Sequence, residues 1–266
     1  MRRFTAFVLA STLALAAAPA AVRAADDQEA QIGQQEYASL QQKGEIIARP
    51  NALYSVLDPI ASRIKRVADS QYGTPFNFIL VHEAQPNAFA VPGGNVYVTD
   101  SLMHFVANRE ELAGVLCHET SHDIHHDVIN NMQKEQPVAI GAAILSSMIG
   151  GGNNRMANAA LGLGTQLTFG NFSRRVETNA DLKGSETCAQ AGYNPWGMVW
   201  LFQKFSQSGS GGSLEMLSDH PSDNHRIADL ESHFRQDPSL FSRFPSGIAN
   251  ATPLRVGYVR RRAAHN

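Results

Sequence analysis

The feature that most constrains this 266-residue chain is residues 117–127, which read CHETSHDIHHD. On an α-helix, His118 and His122 lie one turn apart on the same face, so two imidazole nitrogens can reach one metal ion. Neutral imidazole is a preferred ligand of zinc. Glu119 points about 100° away round the helix, where its carboxylate can reach a water on that ion. The pattern HExxH therefore predicts two metal ligands and a general base on one helix.

The two later histidines of this stretch fail a geometric test as ligands of the same ion. His125 follows His118 by seven residues, which is roughly 10.5 Å along a helix axis. His126 lies one turn beyond His122 and is too far from His118 to share one tetrahedral site. We expect both to lie beside the metal site or at the surface.

The third ligand must come from another segment, and residues 173–181, SRRVETNAD, offer Glu177. A glutamate on a second helix makes a site of two histidines and one carboxylate. That set leaves the fourth position open for water, as catalytic zinc requires. Asp181 lies one helical turn after Glu177 and could accept a hydrogen bond from a ligand histidine, which would fix its tautomer.

Hydrophobic periodicity and turn signals predict an α+β fold in which helices dominate. Residues 76–81, FNFILV, have the pattern of a buried strand, and residues 87–100 that of two short strands joined at Gly93-Gly94. The strands therefore precede the HExxH helix. Helices are expected over residues 26–43, 53–67, 101–106, 108–133, 173–191, 196–205 and 223–234.

The first 24 residues have the charged start, apolar centre and small terminal residues of a secretory signal peptide. A retained membrane anchor is the alternative, which the polar residues that follow disfavour. Residues 1–24 hold three arginines and no acidic residue, so their removal changes the formal net charge from −2 to −5. An acidic mature protein argues against nucleic acid as a partner. We expect a periplasmic protein, with secretion as the alternative.

The chain has two cysteines, Cys117 and Cys188, in a compartment that permits disulfides. Cys188 follows Glu177 by eleven residues, roughly 16 Å along a helix, so a bridge beside the metal site would be strained. The spacing favours two buried thiols, with pairing as the alternative.

Two apolar stretches, residues 137–149 and 156–169, separate the two metal-binding motifs. They are expected to form core or a cleft wall. The alternative is a surface that rests against a membrane or captures misfolded membrane proteins. Residues 206–213, SQSGSGGS, have the composition of a flexible loop.

Four motifs occur in an order that resembles one family of zinc metallopeptidases, peptidase family M48, which includes HtpX and the CAAX prenyl endopeptidases. They are NAFAVPGG, HETSH, SRRVETNAD and HPSDNHRI, and the resemblance covers roughly residues 50–235. It is strongest to the soluble periplasmic members of the BepA and LoiP type. It implies a zincin-like (gluzincin) domain over 51–236, between a helical extension at 25–50 and a tail at 237–266.

The resemblance also implies roles for individual residues. One zinc ion per chain would be bound by His118, His122 and Glu177, with Glu119 as the catalytic base and Asp181 beside a ligand. His220 matches a histidine that approaches the metal or the tetrahedral intermediate, so it is the candidate oxyanion donor. Arg226 is expected to form a structural ion pair near the cleft.

Together these observations predict an exported zinc endopeptidase that cleaves unfolded or misassembled envelope proteins. The main alternative is a zinc-stabilised chaperone or assembly factor with little proteolysis. A third reading is a zinc hydrolase that acts on non-peptide bonds.

Overall fold

The structure is a computed structural model that describes residues 18–135, 172–207, 220 and 224–256. Residues 1–17, the two apolar stretches and most of the loop 206–213 lie outside the described residues. The α-helices are α1 (Ala18–Lys43), α2 (Ala52–Ala68), α3 (Asp100–Phe105), α4 (Arg109–Ile124), α5 (Asp127–Glu135), α6 (Arg174–Gln190), α7 (Trp196–Gln207), α8 (Asn224–Gln236) and α9 (Pro238–Phe241), and a 3₁₀ turn spans Ile248–Asn250.

A three-stranded sheet precedes the HExxH helix, as predicted. Its strands β1 (Asn77–Val81), β2 (Ala88–Val91) and β3 (Asn95–Thr99) have the order β1-β3-β2. The β1–β3 pair is parallel and the β2–β3 hairpin is antiparallel. Gly93 and Gly94 form the turn with φ of 99° and 87°, a conformation that L-residues rarely adopt. The hairpin thus leaves β2 at an edge of the sheet.

The sheet separates two apolar layers. Phe78, Leu80, Val96 and Val98 face the main core, which they share with α2, α4, α6 and α7. Alternate residues of the same strands, such as Val81 and Tyr97, pack with α1 and α5 in a second cluster. These findings confirm the predicted α+β class and its mostly helical character.

Helix α4 carries the HExxH motif through the centre of the molecule. It starts at an Asn108 cap, whose side chain accepts a hydrogen bond from the Glu111 N–H and donates one to Glu111 Oε1. Every residue from Glu111 to Asp123 is buried. Because α4 contacts α2, α6, α7 and β2, even its polar side chains are enclosed by protein.

The prediction of one continuous helix over 108–133 was wrong. Helix α4 ends at Ile124, His126 takes a φ of 55°, and α5 begins at Asp127 in a new direction. Histidine is among the residues that tolerate this left-handed conformation. The Ser121 and Asp123 carbonyls accept hydrogen bonds from the His125 and His126 N–H groups, which closes the last turn of α4.

The prediction of two separate thiols was also wrong, because Cys117 and Cys188 form a disulfide with Cα atoms 5.8 Å apart. The distance from Glu177 along α6 does not show whether Cys188 can reach Cys117, since α6 approaches α4 closely at Gly184. A Cβ atom at Gly184 would lie 2.9 Å from the Cys117 carbonyl oxygen. Cys188 lies one turn after this contact and so reaches Cys117.

Segments at both ends of the described chain pack onto the central helices. From α1, Ile32 and Leu40 enter the second apolar cluster. After α8, Phe241 is buried in the main core, and Leu254 N–H donates to the Ala107 carbonyl beside the start of α4. No helix in the described part of the chain combines the length and apolarity needed to span a bilayer.

Candidate metal centre

Four buried side chains converge between α4 and α6. Ligand-type atoms of His118, His122, Glu177 and His220 all lie within 4.8 Å of one another. Both α4 histidines point their Nε2 atoms into this group, and these two nitrogens are 3.1 Å apart. Glu177 Oε2 lies 3.5 Å from His118 Nε2, and Glu177 Oε1 lies 3.6 Å from His122 Nε2.

These separations fit a tetrahedral metal ion. Ligand atoms about 2.0–2.2 Å from zinc in a tetrahedron are about 3.3–3.6 Å from one another. Two imidazole nitrogens that face each other in a buried site are stabilised best by a cation between them. The donors are two or three imidazoles and a carboxylate, a set that suits zinc among the common metals. The residues present therefore fit a metal of this class.

The fourth member of the group, His220, stands where a catalytic site would hold water. Its Nδ1 atom lies 3.3 Å from His118 Nε2 and 2.9 Å from Glu177 Oε1. The residue precedes α8 and is 4% exposed. The structure thus places the predicted oxyanion donor against two of the three predicted ligands, His118 and Glu177.

Each ligand histidine has a carboxylate behind it. His118 Nδ1 lies 3.0 Å from Asp181 Oδ1, and His122 Nδ1 lies 3.0 Å from Asp127 Oδ2. Such contacts favour a proton on Nδ1, which leaves the Nε2 lone pair for a metal ion. Asp181 is the carboxylate that the sequence predicted as a hydrogen-bond partner of a ligand histidine. Asp127 was not expected, because five residues along a continuous helix would carry it to another face. Because the helix breaks after α4, Asp127 lies beside the His122 ring instead.

Arg226 ties the second helix of the site together from α8. Its Nε and NH2 atoms donate to the two Asp181 carboxylate oxygens, both at 2.7 Å, and its NH1 atom lies 3.0 Å from Glu177 Oε2. NH1 also donates to the His220 carbonyl at 3.2 Å. Arg226 is 1% exposed, and its guanidinium lies over the Phe202 ring. The sequence predicted an ion pair at Arg226. It did not predict that this ion pair is buried or that Arg226 also contacts His220.

The buried charges favour a cation at the site. Burial alone would lower the pKa of His118, but Asp181 and Glu177 offset it and raise this pKa to about 10. Burial would raise the pKa of Glu177, yet the adjacent His220 and His118 hold it well below its usual range. Burial lowers the pKa of His122, despite Asp127. In the absence of a metal ion, His118 therefore holds the extra positive charge.

Glu119 lies beside the group without joining it. The Ala90 N–H of β2 donates to Glu119 Oε2 at 3.1 Å, and Glu119 Oε1 lies 3.6 Å from His220 Nε2. The carboxylate is 1% exposed. This is the arrangement expected of a base that is held by the edge strand and faces the fourth position.

Three neighbouring side chains differ in whether they touch the metal group. The Phe172 ring stacks on His122 with centroids 4.4 Å apart, a contact that sequence reasoning missed because a lone phenylalanine before a helix carries no signal. His125 and His126 lie outside the ligand group and contact Ser121 and Glu29.

Comparison with known proteins gives the site its context. Residues 51–233 match the model of peptidase family M48, a span that contains the whole metal centre. The beta-barrel assembly-enhancing protease of Yersinia pestis is 29% identical over 222 residues, which cover 79% of this chain and 44% of that protein. The mitochondrial metalloendopeptidase OMA1 of Saccharomyces cerevisiae is 29% identical over 55% of this chain and 43% of its own length.

Metalloprotease LoiP of Escherichia coli is 27% identical over 62% of this chain and 65% of its own length. The chain thus spans about half the length of the curated relatives it matches first. The family predicted from the four motifs is confirmed. The match covers more than half of the chain and includes all four residues of the metal group, and the chain therefore belongs to peptidase family M48.

Proposed function

We propose that the chain is a zinc-dependent endopeptidase that cleaves unfolded or misassembled proteins of the cell envelope. The observation that carries the proposal is the convergence of His118, His122 and Glu177 on one point, with the Glu119 carboxylate held beside it. A buried structural site would need no such carboxylate next to its fourth position. The names of the relatives, which are proteases, support peptide bonds as the substrate.

Zinc, when bound, would make a water molecule acidic at neutral pH and polarise the peptide carbonyl. The residues of the chain manage the protons. Glu119 takes the proton of the attacking water and passes it to the leaving nitrogen. The Ala90 N–H orients the Glu119 carboxylate through Oε2, which leaves Oε1 for this transfer.

His220 has two consequences for the reaction. Because it stands at the fourth corner, its ring must move aside before water and a peptide carbonyl can enter. After that movement the ring would donate a hydrogen bond to the carbonyl oxygen as negative charge develops there. Its carbonyl is held by Arg226, so the backbone can stay in place while the ring turns.

The edge strand β2 is the proposed binding surface for the substrate backbone. All four residues of β2 pair with β3, and the Ala90 N–H donates to Glu119 Oε2, so this N–H points away from β3. An extended peptide that pairs with this edge would pass directly over the metal group. Recognition through main-chain groups selects unfolded segments rather than one sequence.

The location and the kind of substrate rest on less direct support. The pattern of residues 1–24 predicts export to the periplasm, and two relatives are described as beta-barrel assembly-enhancing proteases. Membrane-associated envelope proteins are therefore the proposed substrates. Contact with a membrane surface stays the alternative to a core or cleft-wall role for residues 137–149 and 156–169, which lie outside the described residues.

The test is a comparison of the native protein with Glu119→Gln. We expect both to hold about one zinc ion per chain, because Glu119 is not a ligand. Cleavage of unfolded casein should fall by about 10²- to 10⁴-fold, the usual contribution of a general base. Equal activity of the two proteins would refute the protease mechanism. Suppression of aggregation by Glu119→Gln without any cleavage by the native protein would favour the chaperone alternative.

A further inference from the structure

A buried chain of hydrogen bonds runs from α1 to the turn of the β2–β3 hairpin. Glu29 of α1 is 3% exposed, and its Oε2 atom accepts a hydrogen bond from the Tyr72 hydroxyl at 2.5 Å. The same hydroxyl accepts a hydrogen bond from the Gly93 N–H at 2.9 Å. Because Tyr72 follows α2, the chain joins three segments that are distant in sequence.

The direction of these hydrogen bonds follows from the state of the hydroxyl. Burial, the nearby Asp123 carboxylate and the hydrogen bond to Glu29 raise the pKa of Tyr72 well above its usual range, so its hydroxyl keeps its proton. A carboxylate only accepts hydrogen bonds. The hydroxyl therefore donates to Glu29 and presents a lone pair to the Gly93 N–H, and each bond strengthens the other.

Helix α1 also packs directly on the hairpin turn. A Cβ atom at Gly33 would lie 2.7 Å from the Pro92 carbonyl oxygen, and the Gly33 carbonyl accepts a hydrogen bond from Asn95 Nδ2 at 3.2 Å. The second Glu29 oxygen, Oε1, contacts Nδ1 of His126, whose side chain is 43% exposed, so water can replace that ring. The turn is thus held from α1 by backbone packing and by one buried carboxylate.

The turn follows the strand that orients the proposed catalytic base. Ala90 lies three residues before Gly93, and its N–H donates to Glu119 Oε2 at 3.1 Å. Strand β2 has four residues and lies at an edge of the sheet, where it pairs with β3. A short edge strand has little stability of its own, so its position depends on how its ends are held.

We propose that Glu29 and Tyr72 are positioning residues for the proposed catalytic base, Glu119. By holding the hairpin turn, they keep the Ala90 N–H on its carboxylate. The inference deepens the proposed endopeptidase function and rests on it. Glu29 lies before residue 51, where the match to the family begins, so α1 would contribute to the site from outside the matched domain.

Two tyrosines make a matched test. Tyr72→Phe removes the hydroxyl that holds the Gly93 N–H. Tyr54→Phe removes a buried hydroxyl that accepts the Leu80 N–H of β1 at 3.0 Å. Both variants keep the aromatic ring and lose an acceptor of a backbone N–H, and thermal denaturation of both measures the loss of stability. The first hydroxyl alone lies on the path to Glu119.

We expect Tyr72→Phe to keep about one zinc ion per chain and to lower the maximal rate of casein cleavage by about 10- to 100-fold, the effect of a displaced catalytic group. Tyr54→Phe should keep both the ion and the rate. Glu29→Ala should lower the rate as Tyr72→Phe does. The double variant should be no slower than either single variant, because both interrupt one path. Glu29→Gln should retain most of the native rate, because its amide oxygen still accepts from Tyr72.

Hydrogen exchange gives a readout that does not depend on turnover. In the intact protein, the Ala90 amide should exchange about 3- to 10-fold faster in Tyr72→Phe and in Glu29→Ala than in the native protein, as expected when a hydrogen bond that holds the strand is lost. Its exchange should be unchanged in Tyr54→Phe. NMR spectroscopy measures the rate for this single amide.

The two readouts separate this inference from the proposed function. Equal maximal rates for Tyr72→Phe and Tyr54→Phe, or unchanged exchange of Ala90 in Tyr72→Phe, would overturn the positioning role and leave the endopeptidase function standing. Absence of cleavage by the native protein would overturn the endopeptidase function instead. Exchange of Ala90 then decides the positioning role alone: faster exchange supports it, and an unchanged rate overturns it.

Discussion

The two histidine pairs of residues 117–127 have the same side chains and opposite surroundings. His118 and His122 are 3% and 1% exposed, and each has a carboxylate behind its ring. His125 and His126 lie at the break between α4 and α5, where their rings contact the Ser121 carbonyl and Glu29. The difference comes from α6, which brings Glu177 and Asp181 to the first pair only. A histidine becomes a ligand candidate through its neighbours from other helices.

The largest expected effect is a direct test of this contrast. His122→Ala should reduce the zinc content from about one ion per chain to nearly none, because only His118 and Glu177 of the three proposed ligands would remain. Activity should fall to background. His126→Ala is the matched control and should retain both the zinc ion and the activity. Metal analysis after dialysis measures the result, and retention of zinc by His122→Ala would contradict the assignment.

The second effect concerns the covalent link between α4 and α6, the two helices that surround the first pair. The Cys117–Cys188 disulfide joins α4 to α6 across 71 residues of sequence. Replacing both cysteines with alanine should lower the free energy of unfolding by about 4 kcal/mol, because a loop of this length gains much entropy when it opens. Denaturation at a fixed excess of zinc measures it, since metal binding alone shifts stability. A change below about 1 kcal/mol would show that helix packing alone keeps α4 and α6 together without the disulfide.

A smaller effect is expected from the carboxylate behind His122. Asp127→Asn should weaken zinc binding by about 10- to 100-fold, as the loss of a partner that orients a ligand does. Asp100→Asn is a close control, because Asp100 Oδ2 lies 2.9 Å from the exposed His82, away from the metal group. Competition with a chelator gives both affinities. Equal affinities would mean that Asp127 has no part in orienting His122.

The smallest effect, about 1.4 kcal/mol for each pH unit, distinguishes the two members of the first pair. The pKa of His118 is about 10 in the metal-free protein, so a proton must leave it when zinc binds. The pKa of His122 is lowered, so that ring needs to lose none. Zinc affinity should therefore rise about tenfold per pH unit between about pH 6 and 8. A flat profile would contradict the raised pKa.

The parts of the structure that follow from local pattern were predictable. The i, i+4 spacing of His118 and His122 and the buried strand and hairpin before them are short-range signals, and the structure contains all of them. The family model confirms the combination of motifs. The α4 break was not predictable from glycine or proline, because it falls at His125-His126, where helix ending depends on tertiary contacts.

The remaining features depend on how distant segments meet. Cys188 reaches Cys117 because α6 crosses α4 at Gly184, an angle that spacing along one helix does not give. Asp127 becomes a partner of His122 only because the chain turns before it. Such contacts are set by packing in three dimensions, which a single sequence does not display.

The guanidinium of Arg226 has a consequence for how the protein matures. It holds Asp181 through two hydrogen bonds and lies 3.0 Å from Glu177, so both acidic side chains already have a cation beside them before any ion arrives. The protein is therefore expected to reach its folded shape first and to collect its ion afterwards. The metal site would then be filled by the folded protein rather than during folding.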